Sequence, residues 1–253
     1  MPIIEWFYTH YFRVQTEGWE NMPPSGKMLL VGSHNGGMAS PDTSMFLYDW
    51  CRHFGCSRPV YALMHPSAWK IPVLSQQAAQ AGAVMAHPKM ATEALKRDAA
   101  VLVYPGGAQD MFRPYTERDK IYFAGRKGFI KLALRENAPI VPLISYGAHD
   151  TIIVLGDLYE QVEYLHKMGF PWKLDADTGV FPIYLGLPWG IGIGPILNFP
   201  LPHPIHTRVC KPIIFDRYGR EASRDRNYVD QCYQRVCCEM QQELDNLIER
   251  VNE

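Results

Sequence analysis

The chain has 253 residues, 47% hydrophobic and 20% charged, a globular balance that excludes extended disorder. A formal net charge of -1 gives no reason to expect nucleic acid as a partner, since duplex binding needs a concentrated positive surface. Six cysteines (Cys51, Cys56, Cys210, Cys232, Cys237, Cys238) show neither zinc-ligand spacing nor the density of a disulfide scaffold, which fits a reducing compartment.

The length suits one domain, residues 1–253, with an amphipathic segment over 1–26, a core over 27–215 and a C-terminal helical part over 216–253. Near the N-terminus, Ile3, Ile4, Phe7, Tyr8, Tyr11 and Phe12 recur every three or four residues and predict a helix with one aromatic-rich apolar face. Either core packing or an interfacial position accounts for such a face. The segment lacks the basic start, apolar centre and cleavage site of a secretory signal, so it is expected to belong to the mature protein. Lys27–Gly32 reads as a short buried strand, followed by the loop SHNGGMASPD and a helix from Thr43. Strands are expected over Pro59–Met64, Gly82–Ala86, Ala100–Tyr104 and Pro139–Tyr146, and helices over Lys89–Arg97 and Gly125–Asn137. This alternation implies an α/β fold, a mostly parallel central sheet flanked by helices, with ligands bound beyond the strand C-termini.

Val180–Pro204 carries no charge, and its prolines and glycines forbid a regular helix, so it reads as a buried or lipid-facing loop. Tyr228, Cys232, Val236, Met240, Leu244, Ile248 and Val251 then mark one stripe of a long C-terminal amphipathic helix. No run of about 18 or more apolar residues suits a spanning helix, so any encounter with a bilayer is expected to be peripheral.

Three groups of residues suggest chemistry. His34 and Asp42 flank the first loop; a histidine steadied in one tautomer by a carboxylate is a general base, although a loop histidine and a helix-capping Asp explain the same pattern. Gly106 and Gly107, in Tyr104-Pro105-Gly106-Gly107-Ala108-Gln109-Asp110, either offer backbone amides to an oxyanion or only make a turn. Arg126 and Lys127 open a helix, where cations and free amides favour an anion, and a solvated charged turn is the alternative.

The order SHNGGMASPD, PSAWKIPVLSQQAAQAGAV, VYPGGAQD, GRKGFIKLALRENAPIVPLISYG resembles the four-block pattern of the glycerolipid (lysophospholipid, PlsC-like) acyltransferase superfamily, nearest its diacylglycerol acyltransferase type two-like branch. The resemblance runs from about Tyr11 through Ile214. It implies a catalytic core that transfers a fatty acyl group from an acyl thioester, acyl-CoA or acyl-ACP, to a lipid hydroxyl. It makes His34 the base and Asp42 its orienting acid; in the mechanism expected from these residues, backbone amides around Gly106 and Gly107 stabilise the oxyanion, and Arg126 and Lys127 hold donor phosphates or acceptor polar groups. Seven residues separate His34 from Asp42, where the common form of the block has four. Gly106 stands where phosphate-reading members carry Glu, which favours a neutral acceptor such as diacylglycerol, monoacylglycerol or another lipid alcohol over lysophosphatidate. No cofactor or metal is implied; the partners are the thioester donor, the lipid acceptor and a membrane surface, met from the cytoplasmic or a stroma-like reducing side. Rival readings are a thioesterase or lipase, which the missing Gly-x-Ser-x-Gly elbow disfavours, and a non-catalytic lipid-binding module. A metal site from His149, His203 and His206 lacks a compact ligand pattern.

Overall fold

The computed structural model describes residues 2–55, 57–70, 72–170 and 179–253; Cys56 lies outside them. Among these, the strands in chain order are β1 (Gln15–Glu17), β2 (Met28–Gly32), β3 (Val60–Met64), β4 (Ala83–Met85), β5 (Ala100–Val103), β6 (Ile140–Tyr146), β7 (Ile153–Asp157), β8 (Pro182–Gly186), β9 (Gly190–Ile193) and β10 (His206–Val209). Seven form one sheet in the order β1-β10-β6-β2-β5-β3-β4, and β7-β8-β9 form a second. From β6 to β4 every pairing is parallel, and β10 joins β6 antiparallel. The fold is the expected α/β arrangement with a mostly parallel central sheet and flanking helices.

Strand β2 is central, so both faces of it are covered and its sequence, MLLVG, is continuously apolar. Its side chains alternate between the two cores. Leu29 and Val31 join Val101, Ile140 and residues of the helices Pro88–Lys96, Gly128–Glu136 and Arg226–Asn252. Met28 and Leu30 face the other way, against Phe46 and Trp50 of helix Pro41–Phe54. The C-terminal helix buries Val229, Val236, Met240, Leu244 and Leu247, each contributing roughly 1.5–3 kcal/mol of transfer free energy.

Two readings change. Residues 180–204 are not a loop throughout but contain β8 and β9. Their glycines alternate with apolar residues at a period of two, and Gly192 lies beneath the Tyr184 ring, where a Cβ would meet Cζ at 2.3 Å. The N-terminal apolar face also divides. Pro2–Trp6 is α-helical and Phe7–Tyr11 widens to a π-helical turn, so Tyr8 and Phe12 pack against Met45 and Ile205 while Ile3 and Trp6 stay exposed. No helix of the described residues is long and apolar enough to cross a membrane.

Because β2 and β5 are parallel neighbours, with Val31 opposite Val103, the loops leaving their C-terminal ends emerge side by side. Those loops carry His34 and the Pro-Gly-Gly block.

Candidate active site

Beyond Gly32 the chain leaves the sheet as Ser33-His34-Asn35-Gly36-Gly37. Of the residues between His34 and Asp42, three adopt left-handed backbone: Gly36 (φ 84°), Gly37 (φ 65°) and Ser40 (φ 46°). They curl the connection into a single 3-10 turn, Gly37–Ala39, and return Asp42 to the imidazole from the first turn of helix Pro41–Phe54. A Cβ on Gly36 would meet the Pro41 ring at 2.4 Å, and one on Gly37 would meet Asn198 Oδ1 and Ile152 Cδ1 at 2.8 Å. Both positions therefore require glycine.

His34 Nδ1 lies 3.1 Å from Asp42 Oδ2. With a carboxylate there, the neutral ring donates from Nδ1 and keeps its lone pair at Nε2. The same oxygen accepts the Asn35 N–H at 2.7 Å, and Oδ1 accepts the Thr43 N–H at 2.6 Å and the Thr43 hydroxyl at 3.2 Å. The Asp42 side chain is 1% exposed and that of His34 13%, so a buried carboxylate backs an imidazole that reaches the surface. Asp42 is not the helix cap; Ser40 holds that position, without a side-chain capping bond.

Beneath His34 lies the ring of Tyr104, with centroids 4.5 Å apart and planes 19° from parallel. Burial, with Asp42 nearby, pushes the Tyr104 phenol well above its ordinary value and keeps it neutral. Tyr104 opens the Pro-Gly-Gly block, so the stack connects the histidine loop to that turn. The Gly107 N–H donates to the Tyr104 carbonyl at 3.1 Å. Arg126 Nη1 donates to the Gly106 carbonyl and, at 3.3 Å, to that of Pro105, while Nη2 reaches Gln109 Oε1 at 3.3 Å. Lys127 turns elsewhere: its ammonium pairs with Asp230 on the C-terminal helix at 2.7 Å. His34, Asp42, Gly106, Gly107 and Arg126 thus form one connected cluster from which Lys127 points away.

Sequence reasoning missed the layer under this cluster. Asp110 is fully buried and accepts the His34 N–H at 2.5 Å and the Ser33 hydroxyl at 2.9 Å. Arg113 pairs with it at 2.7 Å and also donates to the His34 carbonyl at 3.1 Å and Asn35 Oδ1 at 2.5 Å. Both backbone polar groups of His34 are therefore held by one buried ion pair. Burial raises the Asp110 carboxyl to about 6, against the pull of Arg113, the His34 amide and Ser33. The available signal was an acid and a base three residues apart just after a strand-end turn. A second missed tether is Asn198, which accepts the Ala39 N–H at 3.3 Å and donates to the Gly36 carbonyl at 3.4 Å. It is the lone amide side chain of the charge-free stretch 180–204. Of the candidate metal ligands, His149 is buried and bonded to the Arg113 carbonyl at 2.9 Å. His203 Nδ1 lies 3.0 Å from the Pro204 carbonyl, and His206 sits in β10. Among the described residues no three His, Cys, Asp or Glu side chains are grouped to hold a metal.

The model of the family described as diacylglycerol acyltransferase matches residues 2–251. This chain belongs to that family. It is 27% identical over 225 residues to an uncharacterized protein of Mycobacterium tuberculosis, covering 88% of this chain and 58% of that protein. It is 24% identical to diacylglycerol O-acyltransferase 2 of Bos taurus over 236 residues, 87% of this chain and 61% of the relative. This family member thus spans less than two thirds of the length of either. Among solved structures, the 1-acyl-sn-glycerophosphate acyltransferase of Thermotoga maritima shares the fold, with a TM-score of 0.53 at 15% identity, covering 97% of this chain and 78% of that one.

Proposed function

We propose that this chain is an O-acyltransferase moving a fatty acyl group from an acyl thioester, acyl-CoA or acyl-ACP, to the hydroxyl of a neutral lipid acceptor, with His34 as general base. The observation that carries the reading is the 3.1 Å contact of His34 Nδ1 with buried Asp42, in a chain of this family. His34 Nε2 takes the acceptor's hydroxyl proton as its oxygen attacks the thioester carbonyl, and Asp42 steadies the imidazolium. The carbon–sulfur bond then breaks and the departing thiolate recovers the proton, so no acyl-enzyme is required. Backbone amides around Gly106 and Gly107 face the developing oxyanion. The Gly107 amide is engaged by the Tyr104 carbonyl, which shifts this task toward Gly106. Arg126 holds donor phosphates, and Lys127, paired with Asp230 and turned away from the cluster, is left out of this role.

Gly106 supports the neutral acceptor. A Cβ there would meet the Tyr122 carbonyl oxygen at 2.2 Å, so no phosphate-reading carboxylate fits at this position. The protein works peripherally at the cytoplasmic or stroma-like face of a membrane.

The test is turnover of labelled acyl-CoA with diacylglycerol in mixed micelles. His34→Ala should lower it by roughly a hundredfold or more, the usual size of an acid–base contribution. A folded His34→Ala chain with parental activity would refute the role.

A further inference from the structure

The three-stranded sheet β7-β8-β9 is built against the ordinary rule for a water-facing antiparallel sheet, which alternates apolar inside with polar outside. Its inner face is Val154 and Tyr184 over Gly192, packed on Phe112 and Ile152. On its outer face the cross-strand pairs are Ile183 with Ile193, Leu185 with Ile191, and Ile153 with Leu185. In these three pairs both partners are branched aliphatic residues, and on the β7 side Ile183 is paired with Gly156. Ile191 and Ile193 are 64% and 55% exposed, Leu155 adds a further 57%, and Trp189 at the β8–β9 turn is 59% exposed. An exposed apolar patch of this kind marks a contact surface.

We propose that this outer face docks on a phospholipid bilayer and presents the His34 loop to it. The inference rests on the lipid-acceptor reading above. Three observations select lipid over a protein partner. First, residues 180–204 contain no Asp, Glu, Lys or Arg, whereas protein interfaces keep a polar rim. Second, three polar groups around the hairpin are closed internally, as an apolar medium favours. The Trp189 indole N–H donates to the Leu197 carbonyl at 3.0 Å, the Phe199 N–H to Leu187 at 2.7 Å and the Gly194 N–H to Pro182 at 2.8 Å. An indole at the tip suits the headgroup boundary. Third, the face continues into the active site. Leu197 and Phe199 are exposed, yet Asn198 between them bonds the Gly36 carbonyl and Ala39 amide of the histidine loop. An acceptor hydroxyl therefore reaches His34 from the side on which the apolar residues stand, without a passage through water.

Flotation with phosphatidylcholine vesicles carrying brominated acyl chains tests this. The parent and His34→Ala chains should both float, insensitively to salt, with Trp emission quenched; Trp189→Phe should remove most of that quenching. Ile191→Glu with Ile193→Glu should lower the floated fraction roughly tenfold or more at an unchanged melting temperature, because both side chains already point outward. A parent that stays soluble overturns the proposal, as does a double variant that floats normally. So does a parent that instead dimerises without vesicles and loses the dimer in the double variant. In the parent chain alone, bromine quenching that spares Trp189 overturns it too, without any charged substitution. Flotation needs no turnover, so a floating but inactive parent refutes the enzymatic reading only, and an active parent that never floats refutes the docking face only.

Discussion

Replacing Asp110 by Asn tests whether one buried ion pair fixes the histidine loop. The change keeps the shape but turns one carboxylate oxygen into an amide donor, so either Arg113 Nη1 or the His34 N–H loses its acceptor. Breaking a buried pair costs about 3–5 kcal/mol, because the surviving charge stays buried. Here the surviving cation stays buried but keeps other hydrogen-bond acceptors. Arg113 still donates to the carbonyls of His34, Asp110, Glu117 and Arg118 and to Asn35 Oδ1. The lower end, about 3 kcal/mol, is therefore expected, which is a drop in Tm of roughly 6–12 °C for a chain of this size. Arg113→Ala should cost more, since it leaves a buried carboxylate and these five oxygens without their donor. Urea unfolding at a pH well above 6, where the carboxylate is ionised, measures both. In the fraction that remains folded, acyl transfer should fall by up to about a hundredfold, the penalty for a displacement near 1 Å at a reacting group. A cost below about 1 kcal/mol for Asp110→Asn, or a milder Arg113→Ala, would refute the account.

Three further expectations concern the same region. Burial, with Arg113 and Arg118 nearby, lowers His149 from 6.5 to about 3, so across that range the unfolded chain holds the extra proton and acidification destabilises the fold. His149→Gln keeps a donor for the Arg113 carbonyl and should lose this sensitivity, gaining on the parent by about 1.4 kcal/mol per pH unit below 6.5 in urea titrations; parallel curves would rule it out. Asp110 acts with the opposite sign. Its carboxyl is raised from 3.8 to about 6, so the folded chain holds the extra proton and this group adds stability as pH falls through about 6. The two windows overlap, and deleting either residue should uncover the other's slope. Gly106→Ala should fail to reach the parental Tm by several degrees, since its Cβ would press on the Tyr122 carbonyl oxygen at 2.2 Å and Asp110 Cβ at 2.3 Å. A melting curve unchanged by that substitution would reopen position 106 to larger side chains.

What the sequence makes legible is local. Periods of two and 3.6 and an apolar run place β2, β5, β6 and the helices around them within one to three residues, because burial on both faces leaves little choice of residue. The Val180–Pro204 stretch shows the limit. Its lack of charge is plain, but pairing of β8 with β7 and β9 depends on glycines fitting under Tyr184, a contact made only after the chain folds back. The same holds for β10, whose four residues gain their meaning from lying between β1 and β6. Long-range polar contacts are harder still. The His34 amide finds its acceptor 76 positions away, and no spacing rule reaches that far.

The stretched histidine–aspartate loop connects these observations. A longer insert costs little closure entropy, and each doubling of loop length adds only about 0.6 kcal/mol. What it endangers is geometry. Gly36, Gly37 and Ser40 absorb the extra residues in left-handed backbone, and Ser40 does so as a non-glycine at a cost on the order of 1 kcal/mol. Such a turn holds only if its surroundings determine it. Asp110 and Arg113 grip its first residues from the Pro-Gly-Gly side, and Asn198 grips Gly36 and Ala39 from the apolar segment beyond β9. The spacing that departs from the common block is therefore matched by two clamps, one polar and buried, one carried by the apolar segment proposed to dock on a bilayer. Loosening the second should weaken the His34–Asp42 contact without touching either residue, and under the proposed docking and mechanism it would couple the two.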